Sequence, residues 1–211
     1  MVFFSSDAHL GHGNVAKFCK RYPWFKDEYV TELEDGNLKW VSQEIADICG
    51  HGMNEGLIYN WNSRVTDADT VFHLGDFCCK GREQGVDGCR LNAKHWESEL
   101  NGKIIHIKGN HDVNNSVKGA LESAVFRSKS LSFYMCHKPQ DARPEDHKQV
   151  ILCGHVHNRW KTRWIGSNLA INVGVDVNKY APITLNEVIT IYWRIINKAK
   201  EVPNAYYEDV L

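Results

Sequence analysis

Four apolar runs in this chain end in the same way, each delivering Asp, Asn or His into a short polar stretch. Ile104-Ile105-His106-Ile107 leads through Lys108 into Gly109-Asn110-His111-Asp112. Val2-Phe3-Phe4-Ser5-Ser6 leads into Asp7-Ala8-His9, Thr70 to Leu74 into Gly75-Asp76, and Gln149 to Cys153 into Gly154-His155-Val156-His157. Runs of this length read as buried strands. In an extended segment residues i and i+2 face the same way, so Asp7 pairs with His9 and His155 with His157, each pair gripping one centre. A chain patterned like this must fold so that four strand ends converge on one spot.

That requirement is met within one domain. At 211 residues the chain suits a single sizeable core, so a single domain spanning 1–211 is expected. A hydrophobic fraction of 43% with 24% charged residues is ordinary for a soluble protein, and no apolar run approaches the roughly 20 residues that span a bilayer. The opening MVFF is too short for a signal-peptide core, so a cytoplasmic location without membrane association is expected. Net charge is -1, and no run of Lys or Arg exceeds two, which argues against gripping long duplex nucleic acid. The clusters Lys17, Lys20, Arg21 and Arg159, Lys161, Arg163 read as solvated faces; the alternative is steering of one phosphorylated ligand. Seven cysteines, an odd count in no scaffold spacing, read as reduced thiols, with Cys78, Cys79 and Cys89 loosely clustered.

Between the strands, Asn14 is the expected N-cap of a helix over Val15 to Arg21. That places His12 and helix-start N–H groups beyond Asp7 and His9, where an anion could bind; His12, Asn14 and Asn110 are therefore candidate substrate-binding residues. The alternative for His12 is a hydrogen bond within its loop. Leu38, Val41, Ile45 and Ile48 recur at helical spacing and predict a core-facing stripe, broken at Gly50-His51-Gly52 before a second helix over Met53 to Trp61. Further helices are expected at Leu91 to Leu100, closed by Asn101-Gly102, and at Asn115 to Glu122. Antiparallel strands are expected at Val125 to Ser130 and Leu131 to Cys136, and a strand at Leu169 to Val173. Thr184-Leu185-Asn186-Glu187 fits a capping box opening a helix to about Lys198. The sum is a layered α/β fold with mixed sheets and its site in loops outside the strand ends.

Asp7, His9, Asp76, Asn110, His137, His155 and His157 form the candidate metal-ligand set: two carboxylates, an amide oxygen and four imidazoles. With no thiolate among them, they suit Mn, Fe, Zn or Co better than a structural zinc or iron-sulfur centre. Seven ligands are about right for two ions sharing a carboxylate bridge. Two ions about 3.5 to 4 Å apart form the clamp used for in-line displacement at phosphorus, with attack by metal-bound hydroxide. His111 is then left as a proton donor to the phosphoryl oxygen or leaving group, with Asp112 beside it keeping it protonated and oriented.

The ordered set Asp7-x-His9, Gly75-Asp76, Gly109-Asn110-His111-Asp112, His137 and Gly154-His155-x-His157 resembles the calcineurin-like metallophosphoesterase superfamily. It looks closest to small bacterial and phage phosphoesterases whose first motif reads like Ser6-Asp7-Ala8-His9-Leu10-Gly11-His12. The resemblance runs from Phe3 to about Val188 and includes Trp61-Asn62 and Asn172-Val173-Gly174. It implies a four-layer sandwich of two mixed β-sheets flanked by α-helices. It also implies one metal on Asp7, His9, Asp76 and His157 and another on Asp76, Asn110, His137 and His155, with Asp76 bridging. His147 or His73 is the fallback for His137, and His111 takes the transition-state role. Where serine-threonine phosphatases of the superfamily carry Asp-Arg-Gly and a Glu, this chain has Phe77-Cys78-Cys79 and Asp112, which argues against protein phosphatase activity. The expected activity is metal-dependent hydrolysis of a phosphodiester or phosphomonoester in a nucleotide or other small phosphorylated substrate, with two divalent ions, Mn²⁺ first and Fe, Zn, Co or Ni as alternatives. A nuclease acting on nucleic-acid ends and a non-catalytic scaffold on the same fold remain open, and specificity is assigned to the loops Gly11 to Phe25, Phe77 to Arg90 and Asn158 to Gly166.

Overall fold

Strand β1 (Val2–Ser5) pairs in parallel with β4 (Thr70–His73), and β4 pairs in parallel with β5 (Lys103–His106). The short β11 (Ile183–Thr184) closes the far edge antiparallel. Register aligns Ser5, His73 and His106 across the sheet, so the segments carrying Asp7, Asp76 and Asn110 leave it at one level. A second sheet runs in the order β6 (Ala124–Arg127), β7 (Ser132–Met135), β8 (Val150–Cys153), β10 (Asn168–Asn172), β9 (Thr162–Ile165). Its three central strands are parallel and its two edges antiparallel. Met135 lies opposite Leu152 there, which brings His137 and His155 out together. The computed structural model describes residues 1–79, 91–112, 117–129, 131–146 and 148–201, with the backbone alone over 199–201.

Alternation along the strands explains the layers. Phe4, Leu74 and Ile107 point from the first sheet into a core shared with Phe133, Met135, Val150, Leu152 and Ile171 of the second. The opposite face of the first sheet presents Phe3 and Val71 to helices α2 (Gln43–Asn62) and α3 (Ala93–Glu99), through Met53, Leu57, Trp61 and Trp96. Helix α4 (Leu185–Glu201) packs Val188 and Ile195 against the shared core, and its capping box is formed as expected: the Glu187 carboxylate accepts from the Thr184 N–H at 2.7 Å, and the Glu187 N–H donates to Thr184 Oγ1 at 3.1 Å. On the outer face of the second sheet, Tyr134, Trp160 and Ala142 lie against Ile151 and Ala170 beside a single 3-10 turn at Pro139–Asp141. The mixed α/β architecture expected from the sequence is therefore observed.

Several local expectations are corrected. Leu38–Trp40 is strand β3, paired antiparallel with β2 (Val30–Glu32), and α2 runs unbroken through Gly50-His51-Gly52. Its buried face is Cys49, Met53, Leu57 and Trp61, whereas Val41 and Ile48 are exposed. The glycines are packing sites: a Cβ at Gly13 would meet Gly50 Cα at 3.0 Å, and one at Gly56 would run into the Trp24 ring. Helix α1 (Asn14–Phe18) is capped by Gly13 without a side-chain bond, while Asn14 Oδ1 accepts from Trp40 Nε1 at 2.7 Å. Residues 117–122 are not helical; Leu121 instead bridges Ile107. The six described cysteines are free thiols. Cys89, His147, residues 80–90 of the specificity loop, 113–116 of the expected Asn115 helix and the terminal tail lie outside the described residues. No described helix is long and apolar enough to cross a membrane.

Candidate metal centre

Five of the seven expected ligands sit just past the strands in left-handed backbone. Asp7 (φ 58°), His9 (52°), Asp76 (54°), His155 (70°) and His157 (49°) all have positive φ, so the extended i, i+2 geometry expected from the sequence is corrected. Non-glycine residues rarely hold this conformation, and clustered strain of this kind marks sites where surrounding structure over-determines the backbone. Here the loops brace one another. The Asp7 N–H donates to Gly75 O and the His9 N–H to Asp76 O, each at 3.0 Å, and the His155 N–H donates to the Asp7 carboxylate at 3.0 Å. Gly75 (φ 93°) allows the approach: a Cβ there would stand 2.6 Å from both Gly109 Cα and His137 Nδ1.

Asp76 is the hinge of the cluster. Its Oδ1 accepts the His111 N–H at 2.9 Å, and its Oδ2 lies 3.3 Å from His137 Nε2 and 3.5 Å from His9 Nε2. Burial alone would raise its pKa, but the neighbouring His137 and His9 hold it well below the usual carboxylate range. Asp7, fully buried, is pushed up by desolvation against the pull of His157 and His137. His137 donates Nδ1–H to the Leu74 carbonyl at 2.8 Å, because a carbonyl can only accept; its Nε2 is thereby turned toward Asn110 Oδ1, 3.0 Å away, and Asp76. Burial opposes charge on His137, yet the two carboxylates and the Leu74 carbonyl raise its pKa.

Desolvation drives His9 well below its ordinary value and lowers His155. His9 Nε2 is buried with no hydrogen-bond partner among the described residues, although it faces a carboxylate oxygen. A neutral imidazole nitrogen turned to a charged carboxylate is a donor set that suits a divalent cation. Three groups of ligand atoms, each within 4.8 Å of one another, occur among the described residues: Asp7 with His9 and His157, Asp7 with Asp76 and His137, and Cys19 with His157 and Asp176. His155 stands beside them, its ring 5.1 Å from that of His137. His73, the fallback, is fully buried against Trp61, Phe77 and His106 on the helix side of the first sheet, and does not join the cluster.

The expected pairing of Asp112 with the His111 ring is corrected. Asp112 turns inward and accepts three backbone N–H groups, from Gly109 at 2.8 Å, Asp76 at 2.9 Å and Phe77 at 3.0 Å. It clamps the GNHD loop to the Gly75-Asp76 loop. His111 itself is exposed, with its ring 5.6 Å from His9, and Asn110 is exposed beside it. His12 stands 5.9 Å from His9 on the other side.

Two residues escaped the sequence reading. Asp176 accepts from His157 Nδ1 at 2.9 Å and from Arg21 Nε at 2.7 Å and Nη2 at 3.1 Å. Arg21, expected on a solvated face, has no exposed surface; it also donates to the Asp7 carbonyl at 2.7 Å and the Ala8 carbonyl at 3.0 Å. Burial opposes the charge of His157, but Asp176 pushes its pKa up to about 10; Arg21 and His157 in turn keep Asp176 low despite its burial. The signal was present, since Leu169 to Val173 is a strand followed by Gly174-Val175-Asp176, the same strand, glycine and acid format as the other motifs.

Fold and site together define an α/β sandwich with a nitrogen and oxygen donor cluster at the crevice beyond its parallel strands. Residues 49–182 match the model of the calcineurin-like phosphoesterase superfamily domain, and the chain belongs to that superfamily. It is 28% identical over 204 residues to the uncharacterized protein MJ1445 of Methanocaldococcus jannaschii, covering 95% of this chain and 94% of that one. A protein of unknown function from Aquifex aeolicus, AQ665, superimposes with a TM-score of 0.53 at 20% identity, covering 90% and 98% of the two chains. The phosphoesterase YfcE of E. coli aligns over 81% of this chain and 77% of its own with a TM-score of 0.39 at 14% identity.

Proposed function

We propose that the protein is a dinuclear-metal phosphoesterase acting on small phosphorylated compounds. The observation that carries this reading is Asp76 Oδ2, set 3.3 Å from His137 Nε2 and 3.5 Å from His9 Nε2, which has no hydrogen-bond partner among the described residues, as a bridging carboxylate between two histidine-bearing half-sites would be. Asp7, His9, Asp76 and His157 would hold one ion, and Asp76, Asn110, His137 and His155 the other. Divalent ions bound there supply Lewis acidity and an activated water for displacement at phosphorus. Mn²⁺ is the first ion to test, with Fe, Zn, Co and Ni suited to the same donors.

The chain's own groups divide the remaining work. Leu74 fixes the proton of His137 on Nδ1, and Asp176 does the same for His157, so each ring presents Nε2 to the centre. Asp7, His9, Asp76 and His137 are buried, whereas Asn110 and His111 are exposed, so substrate enters from the side of those two. Asp112 and Asp76 anchor the GNHD backbone, which lets His111 deliver a ring N–H to a phosphoryl oxygen or the leaving oxygen.

The test is hydrolysis of chromogenic phosphate monoesters and diesters by metal-stripped protein resupplied with Mn²⁺. Turnover restored by the ion, abolished by Asp76→Asn and reduced about 10² to 10⁴-fold by His111→Ala, is the expected result. Two ions bound per chain with no turnover of either ester would refute the hydrolase reading while leaving the metal centre.

A further inference from the structure

A cavity of about 440 Å³ opens beside the centre, with Asn110 and His137 at one end. It lies between the outer face of β7, the end of β5 and the 3-10 turn at Pro139–Asp141. Its volume falls in the range of small-molecule sites and far exceeds what a phosphoryl group needs. The wall mixes polar and apolar surface and carries charges of both signs. Lys108 is paired with Glu122 at 2.8 Å, Lys138 is half-buried with no carboxylate partner among the described residues, and Ser123 and Asp141 add further donors and acceptors. Tyr134, half-buried on β7, supplies an aromatic ring.

We infer that this cavity is the subsite for a nucleoside, and that the substrate is a phosphodiester whose retained half is a nucleoside monophosphate. The inference rests on the phosphoesterase reading above and names its substrate class. An acyl chain would leave Lys108, Glu122, Lys138 and Asp141 without matching partners in the ligand, and a polyanion would meet Glu122 and Asp141. A base with its sugar matches both the ring and the interspersed donors and acceptors, since every base has a face that stacks on an aromatic side chain. With the phosphoryl group at Asn110 and His137, the nucleoside lies over Tyr134 and Lys138, and the other ester group projects toward His111. In the reaction a water oxygen bonds to phosphorus, the bond from phosphorus to the leaving oxygen breaks, and the leaving alcohol departs with a proton. The nucleoside monophosphate stays in the cavity as product.

The test separates the subsite from the catalysis. Binding of thymidine 5′-monophosphate and of inorganic phosphate to the Mn²⁺-loaded protein is measured by calorimetry for wild type, Lys138→Ala and Tyr134→Leu, with thermal unfolding confirming that each variant is folded. In parallel, kcat/KM is measured for the p-nitrophenyl ester of thymidine 5′-monophosphate and for p-nitrophenyl phosphate. The expected result is nucleotide binding tighter than phosphate in the wild type, weakened about tenfold in each variant, with phosphate binding weakened by a clearly smaller factor. The nucleotide diester should lose rate by the same larger factor. Equal losses on both ligands, or a nucleotide that binds no better than phosphate, would overturn the subsite even if hydrolysis persists. Selective nucleotide binding without turnover would keep the subsite and refute the hydrolase reading.

Discussion

Asp176 and Arg21 illustrate how a buried pair can set a site from behind. The guanidinium bonds one carboxylate and two backbone carbonyls of the loop bearing Asp7, so it fixes both Asp7 and, through Asp176, the His157 ring. Asp176→Ala leaves a charge buried without its counter-ion, and a loss of about 3 to 5 kcal/mol in a denaturant melt is expected. Asp176→Asn keeps the shape but weakens the orientation of His157; metal titration should show affinity falling about 10 to 100-fold with a smaller change in stability. At Gly75 an Ala would combine a φ of 93° with contacts at 2.6 Å to Gly109 and His137, so a cost of at least about 2 kcal/mol together with lost metal binding is expected, read by melting and metal content. At this scale the clustering of the candidate residues was legible, because the side chains able to hold a divalent ion are a few residue types. The partners of Asp112 were not legible: a carboxylate beside a histidine reads as its orienting group, and only the fold reveals that it serves three backbone N–H groups instead.

Among the elements, α2 departs most from its sequence pattern. Gly50, His51 and Gly52 read as a break, yet tertiary packing overrides intrinsic propensity where close approach is needed. Gly56→Ala gains roughly 1 kcal/mol of helix propensity but drives a methyl into the Trp24 ring, so a net loss of thermal stability is expected, whereas the same change in an exposed helix would stabilise. The capping box of α4 was legible because both partners lie within one turn. Burial would raise the Glu187 carboxyl, but hydrogen bonds from Arg64 and Thr184 hold it below its ordinary value. A depressed folded pKa contributes stability that is complete above the unfolded value, near 4.3, and is lost as pH falls through the lower folded one. The difference in melting temperature between wild type and Glu187→Gln should therefore hold at pH 6 and shrink below about pH 4.

Across the molecule, strand order and sheet partition were the least readable features. Local pattern located β1, β4, β5 and β8, but nothing in it says that β10 lies between β8 and β9, or that the first and second sheets share a core. The hydrogen bond from His155 of one sheet to Asp7 of the other has a wider meaning. It makes the centre a caliper laid across the two sheets, whose jaws are set by the hydrophobic filling between them. Small changes in sheet spacing should therefore register as ligand affinity before they register as lost secondary structure. Trimming Phe133, deep in that filling, to Leu ought to loosen the caliper, leaving circular dichroism intact while metal uptake declines.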